Sequence, residues 1–167
     1  EGMAELRASQ EEEIEKGNSA YEELHAVLKN EIDEGQLSIA DLPGGLTIDI
    51  PDRMLFASGR ADLKREGLTL LKRVAATLKT LSGKRIRVEG HTDNVPIKGA
   101  LSKRFPTNWE LSAARALSVT RCLEQERVAP ILLSAAAFGE HQPATGNDTP
   151  EGRSRNRRIS IVLVPAD

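Results

Sequence analysis

Apolar positions recur along this chain with two different periods. Leu46, Ile48 and Ile50 alternate with Thr47 and Asp49, the every-second-residue pattern of a half-buried strand. Pro51 and Asp52 stop that strand, and residues 54–59 read as an irregular connector. Over residues 62–81 the spacing changes. Leu63, Leu70, Leu71, Val74, Ala75 and Leu78 line one side of a predicted helix, and Lys64, Arg65, Lys72, Arg73 and Lys79 the other. Ser82 and Gly83 close it. Ile86 and Val88 then alternate with Arg87 and Glu89, a second strand that Gly90 ends. The next helix has a complete start signal at Thr107, with Glu110 three residues on as the second half of a capping box. It is predicted to run to about residue 127, and Pro130 blocks its extension. Residues 132–138 read as a third strand and 139–156 as a long polar loop. Residues 157–164 form a final strand, apolar enough to be central. The order β-α-β-α-β-β predicts an α+β fold, a mixed sheet with two helices on one face.

Residues 1–41 precede this pattern as a polar, helix-favouring arm. Ile14, Tyr21 and Leu28 recur every seven residues with Leu24 between them and Val27 and Ile32 beside them. Such a stripe suits a short coiled coil that self-associates, or equally a helix packed on its own domain. Leu42-Pro43-Gly44-Gly45 is a turn signal, and the expected domain is 42–167. The overall charge of −2 hides an asymmetry between these parts. Residues 1–35 hold 11 acids against 3 bases, whereas residues 36–167 hold 14 against 20. A basic domain favours anionic partners. Nucleic acid is not the expected one, because only 3% of the chain is aromatic and bases have little to stack on. No apolar run reaches the length of a bilayer span. The one cysteine, Cys122, falls inside the second helix and reads as a buried free thiol.

Candidate chemistry gathers around the second strand and the second helix. Asp93 sits just past the strand's C-terminal end, with Thr92 beside it, and Arg115 lies about two turns into the helix. Asn108, Ser112 and Arg115 are four and three residues apart and so share one helix face. A carboxylate and a guanidinium so placed either pair with each other or hold a zwitterion, since arginine grips a carboxylate with two parallel hydrogen bonds. Between them, residues 94–105 form a loop rich in lysine and glycine. Catalysis is not expected. Glu89, His91 and Asp93 fall on one strand face with His141 elsewhere, but no His-Glu-x-x-His motif accompanies them, and no Gly-x-Ser-x-Gly elbow occurs. Neither a metal nor a cofactor is implied.

His91-Thr92-Asp93, Asn108-x-x-Leu111-Ser112-x-x-Arg115-Ala116, Gly139, Pro143, Gly152-Arg153 and Asn156-Arg157-Arg158 stand in the order seen in a known family. They resemble the OmpA-like C-terminal domain, a peptidoglycan-binding module, over residues 42–165. Phe105-Pro106-Thr107-Asn108-Trp109-Glu110-Leu111-Ser112 and residues 48–63 are most similar to the branch found in MotB flagellar stators. The resemblance implies that Asp93 takes the side-chain ammonium of diaminopimelate in the wall's stem peptide and Arg115 a carboxylate. Asn108 and Thr92 would stand beside them, and Leu111 and Phe56 would cover the methylene chain. It also implies a periplasmic domain of a membrane-anchored envelope protein, commonly dimeric, with a stator or another envelope partner. The chain departs from the family at Ala57, where many members have aspartate, and at Gly59, where many have a polar residue. The loop at 94–105 is lid-like and longer than in Pal-type relatives.

Overall fold

A computed structural model describes residues 20–81 and 83–165. The alternation at residues 46–50 becomes β2 (Gly45–Pro51), and that around Val88 becomes β3 (Lys84–His91). They enter one five-stranded sheet with β1 (Ser38–Leu42), β4 (Leu133–Gly139) and β5 (Arg158–Pro165), in the order β1-β2-β5-β3-β4. The last strand is central, as its near-continuous apolar run predicts. All neighbours are antiparallel except β3 and β4. A parallel pair needs a long crossover, and the helix over residues 108–125 supplies it. In the central register Ile161 lies opposite Ile48 on one side and Val88 on the other.

The two long helices complete a mixed α+β fold. They are α4 (Arg65–Leu78) and α5 (Asn108–Gln125); among the described residues three further α-helical segments precede α4 and one follows α5. Leu71 and Val74 of α4 and Val119 and Leu123 of α5 join Ile48, Ile50, Val88 and Ile161 in one fully buried aliphatic cluster. Burial of this kind contributes about 25 cal/mol per Å² of apolar surface. Cys122 lies in that cluster as a free thiol, pushed up from its ordinary pKa by burial. Helix α5 presses hard on β3. A Cβ on Gly90 would stand 2.2 Å from the carbonyl oxygen of Ser112, so only glycine fits there. The start of α5 follows its sequence signal, with Thr107 as N-cap and the Thr107–Glu110 capping box formed.

Four local features differ from the sequence expectation. Residues 38–42, inside the expected arm, form β1, so the boundary drawn at residue 42 falls within a hairpin whose Leu42 pairs with Gly45. As a short edge strand β1 buries little, and its sequence carries no clear alternation. Residues 20–27 form a helix, α1, continued by α2 (Lys29–Asp33). Leu24 and Leu28 are fully buried in the domain core, and Arg73 of α4 donates to the Val27 carbonyl at 2.9 Å. The described part of the heptad stripe therefore packs on its own domain; Ile14 lies outside the described residues. The connector after β2 begins with one helical turn, α3 (Asp52–Leu55), and the polar loop ends in α6 (Pro150–Asn156). Helix α6 has Pro150 in its first turn and a Thr149 cap, but seven mostly polar residues give no apolar stripe to read.

A charge-lined cavity at the end of the sheet

Four elements leave a cavity of about 440 Å³ where β3 ends and α5 begins. All six residues singled out in the sequence line it: Phe56, Thr92, Asp93, Asn108, Leu111 and Arg115. Residues 95–98 and Leu101 form part of its wall, so the lid-like loop borders the cavity and carries a 3-10 turn at Gly99–Lys103. Gly59 and Ser58 also line it, whereas Ala57 does not.

Asp93 and Arg115 do not pair with each other. The Arg115 side chain, only 7% exposed, donates from Nη1 to Asp52 Oδ2 at 2.9 Å and from Nε to the Arg60 carbonyl at 2.8 Å. Its guanidinium carbon stands 4.9 Å from the centre of the Phe56 ring. Phe56 is thus a platform for Arg115 as well as a wall of the cavity. Among the described residues Nη2 has no acceptor, and it is not one of the sealed, unsatisfied polar atoms. One nitrogen of the guanidinium is therefore without a protein partner while the other two are fixed. Burial pushes Arg115 below the usual arginine range, and Asp52 works against that shift.

Asp93 is held from the opposite side. Its Oδ1 accepts from the Val95 amide at 3.0 Å and its Oδ2 from Arg157 Nη1 at 2.6 Å. Arg157 also brings Nε to 3.8 Å from Asp52. The result is a row of alternating charge, Arg115–Asp52–Arg157–Asp93, along one wall. Each charge has an opposite neighbour, which lowers the cost of keeping it partly out of water.

Asn108 and Ser112 position the frame. Asn108 Nδ2 donates to the carbonyls of Asp93 at 3.3 Å and Val95 at 3.1 Å, which fixes the chain leaving β3. Ser112 Oγ accepts from the Gly139 amide at 3.1 Å and so ties α5 to the end of β4. The Thr92 hydroxyl donates to the Asp93 carbonyl, and its amide to that of Gly139. Asn156 is fully buried and clamps residues 144–147, while Arg157 beside it reaches the cavity.

The charge row contains two members that the sequence did not single out. Asp52 reads as a stop signal after β2, and Arg157 as a member of the Asn156-Arg157-Arg158 motif with no place in the site. An arginine buried as deeply as Arg115 needs a carboxylate partner; that need is the signal for Asp52, but it requires the burial to be known. The strand-face grouping of Glu89, His91 and Asp93 also fails. Glu89 and His91 pair at 3.0 Å, but β3 ends at His91 and the chain turns Asp93 into the cavity. Among the described residues no group of three His, Cys, Asp or Glu side chains is placed to hold a metal ion.

A mixed sheet under two helices carries, where β3 ends and α5 begins, a cavity lined by residues of both charges. The chain belongs to the OmpA family, whose model matches residues 55–157. It is 35% identical over 160 residues to motility protein B of Bacillus subtilis, covering 95% of this chain and 59% of that protein. The chain thus spans little more than half the length of that relative. Among solved structures, a MotB-like protein from Desulfovibrio vulgaris superposes with a TM-score of 0.86 at 30% identity, covering 93% of this chain and 98% of that one. The cell wall anchor of the type VI secretion system from Pseudomonas aeruginosa gives 0.77 at 33% identity, over 86% and 97% of the two chains. No described helix is long and apolar enough to cross a membrane.

Proposed function

We propose that this domain binds peptidoglycan without catalysis, by holding diaminopimelate of the stem peptide in the charge-lined cavity. The observation that carries the reading is the pair of opposed, separately anchored charges, Asp93 and Arg115 with its unpartnered Nη2, on one cavity. Diaminopimelate offers an ammonium and a carboxylate at one end, spaced by a short methylene chain from the peptide. Asp93 takes the ammonium, which replaces Arg157 at Oδ2. Arg115 takes the carboxylate, while Leu111 and Phe56 cover the methylenes. Asp52 keeps Arg115 aimed. A volume near 440 Å³ suits a ligand of this size.

The likeness to motility protein B supports a role as the periplasmic, wall-gripping part of a MotB-like stator, anchored in the inner membrane and working as a homodimer. The likeness to a type VI secretion wall anchor favours a second reading, a general envelope anchor that uses the same cavity. Either way, several weak sites on a polymer gain by avidity.

Calorimetric titration with meso-diaminopimelate and sedimentation with purified sacculi test the binding. Wild type is expected to bind both, and Arg115→Ala and Asp93→Ala to lose roughly 2–5 kcal/mol, enough to abolish measurable heat. Equal sedimentation of wild type and both variants would sink the reading.

A further inference from the structure

A second cavity, of about 390 Å³, opens beside the first. The chain divides between them residue by residue. Pro51 and Arg158, the last pair of the β2–β5 ladder, line the second cavity; Asp52 and Arg157, one residue further out on each strand, line the first. Arg53 lines both. The floor is apolar, with Ile32, Leu37 and Pro51, and the charged lining is three arginines, Arg53, Arg155 and Arg158, against one carboxylate, Asp49.

That carboxylate is already engaged. Asp49 Oδ1 accepts from the Ser160 hydroxyl at 2.5 Å and stands 3.9 Å from Arg158 Nε. Arg158 is braced by the carbonyls of Asn156 and Gln142, which orient it without neutralising it. Arg53 and Arg155 are exposed and have no carboxylate within ion-pair distance among the described residues. Three guanidinium groups line one cavity whose single lining carboxylate is occupied, which favours an anion there. Arg158 adds charge, and the planar forks of Arg53 and Arg155 match a carboxylate.

We propose that this cavity is a second subsite for the same wall polymer, taking a further carboxylate of the stem peptide. With diaminopimelate in the first cavity, the peptide passes over Arg53 and sets that carboxylate among Arg53, Arg155 and Arg158. The inference rests on the peptidoglycan reading above. It makes the domain a reader of a longer peptide, with the first cavity selecting the zwitterion and the second adding affinity.

Arg155 lines only the second cavity and sits exposed on α6, so it can be changed without touching the first. The test titrates the full chain with meso-diaminopimelate and, separately, with a soluble disaccharide–stem peptide fragment. Arg155→Ala is expected to weaken the fragment about tenfold, the scale of one lost charge-assisted contact, and Arg155→Glu further, with meso-diaminopimelate unchanged for both. Fragment binding by both variants equal to wild type would overturn the second subsite and leave the first standing. Equal weakening of both ligands would also overturn it. A wild-type chain that binds neither ligand would remove the proposed function and this subsite together.

Discussion

The two halves of the charge row in the cavity look alike on paper and differ in substance. Arg115 and Asp52 form the buried half, with side chains 7% and 17% exposed, and Arg115 is held at three points. Asp93 and Arg157 form the other half, in which Asp93 is enclosed at 10% exposure but Arg157 is 38% exposed and reaches its partners from the rim. A guanidinium fixed by a carboxylate, a carbonyl and a ring cannot leave, so it is preorganised for whatever enters. One that is more than a third solvated can exchange its partner for a ligand ammonium at little cost. The same kind of pair is thus locked in one place and, on the function proposed above, free to exchange in the other.

The largest expected effect comes from breaking the buried half. Asp52→Ala leaves Arg115 charged and enclosed without its counter-ion, and is expected to cost roughly 3–5 kcal/mol of unfolding free energy in urea denaturation. A loss below about 1 kcal/mol would mean that water reaches Arg115 freely and that the contrast is false. Breaking the other half is expected to do less. Arg157→Ala should cost about 1 kcal/mol, because Arg157 itself is partly solvated and the Asp93 carboxylate it leaves keeps its bond from the Val95 amide. A loss as large as that of Asp52→Ala would make the two halves equivalent and would argue against exchange at Asp93.

The contrast also explains what the sequence could reveal. The aliphatic core repeats with the periods of strands and helices, so Ile48, Val88, Leu71 and Val74 declare their burial by position alone. The Thr107–Glu110 capping box is local chemistry within four residues, and it forms where the sequence places it. Five of the six candidate site residues surround one cavity because the motifs at 91–93 and 108–115 are short and the topology joins them; Phe56 meets them from the connector after β2. Partner choice has no such local trace. Asp52 is 63 residues from Arg115, and Arg157 is 64 from Asp93. Asp93 instead looked like a partner for Arg115 or a neighbour of Glu89, since nothing local says where the chain turns after His91. Strand β1 escaped notice for a different reason: at a sheet edge, backbone pairing supplies what side-chain burial does not.

A third carboxylate, on the sheet face away from α5, extends the comparison to pH. Glu89 is 13% exposed on its side chain, hydrogen-bonded to His91 at 3.0 Å and to Arg87 at 2.7 Å, with Ser160 opposite it on β5. Burial pushes its carboxyl up, and the bonds and charges of His91 and Arg87 outweigh that, so it sits below its ordinary value of 4.5. A carboxyl depressed in the folded state contributes stability that is present above its unfolded pKa. That contribution is lost as pH falls through the folded value. Glu89→Gln is therefore expected to be less stable than wild type near pH 7, by about 1 kcal/mol for a pair partly open to water. The gap should narrow as pH falls below about 4.5, where wild type loses the same contribution by protonation. Denaturation midpoints of the two proteins at pH 7 and pH 3 measure this directly. A gap of constant size across that range would mean that the Glu89 carboxylate is no better placed in the folded protein than in the unfolded chain.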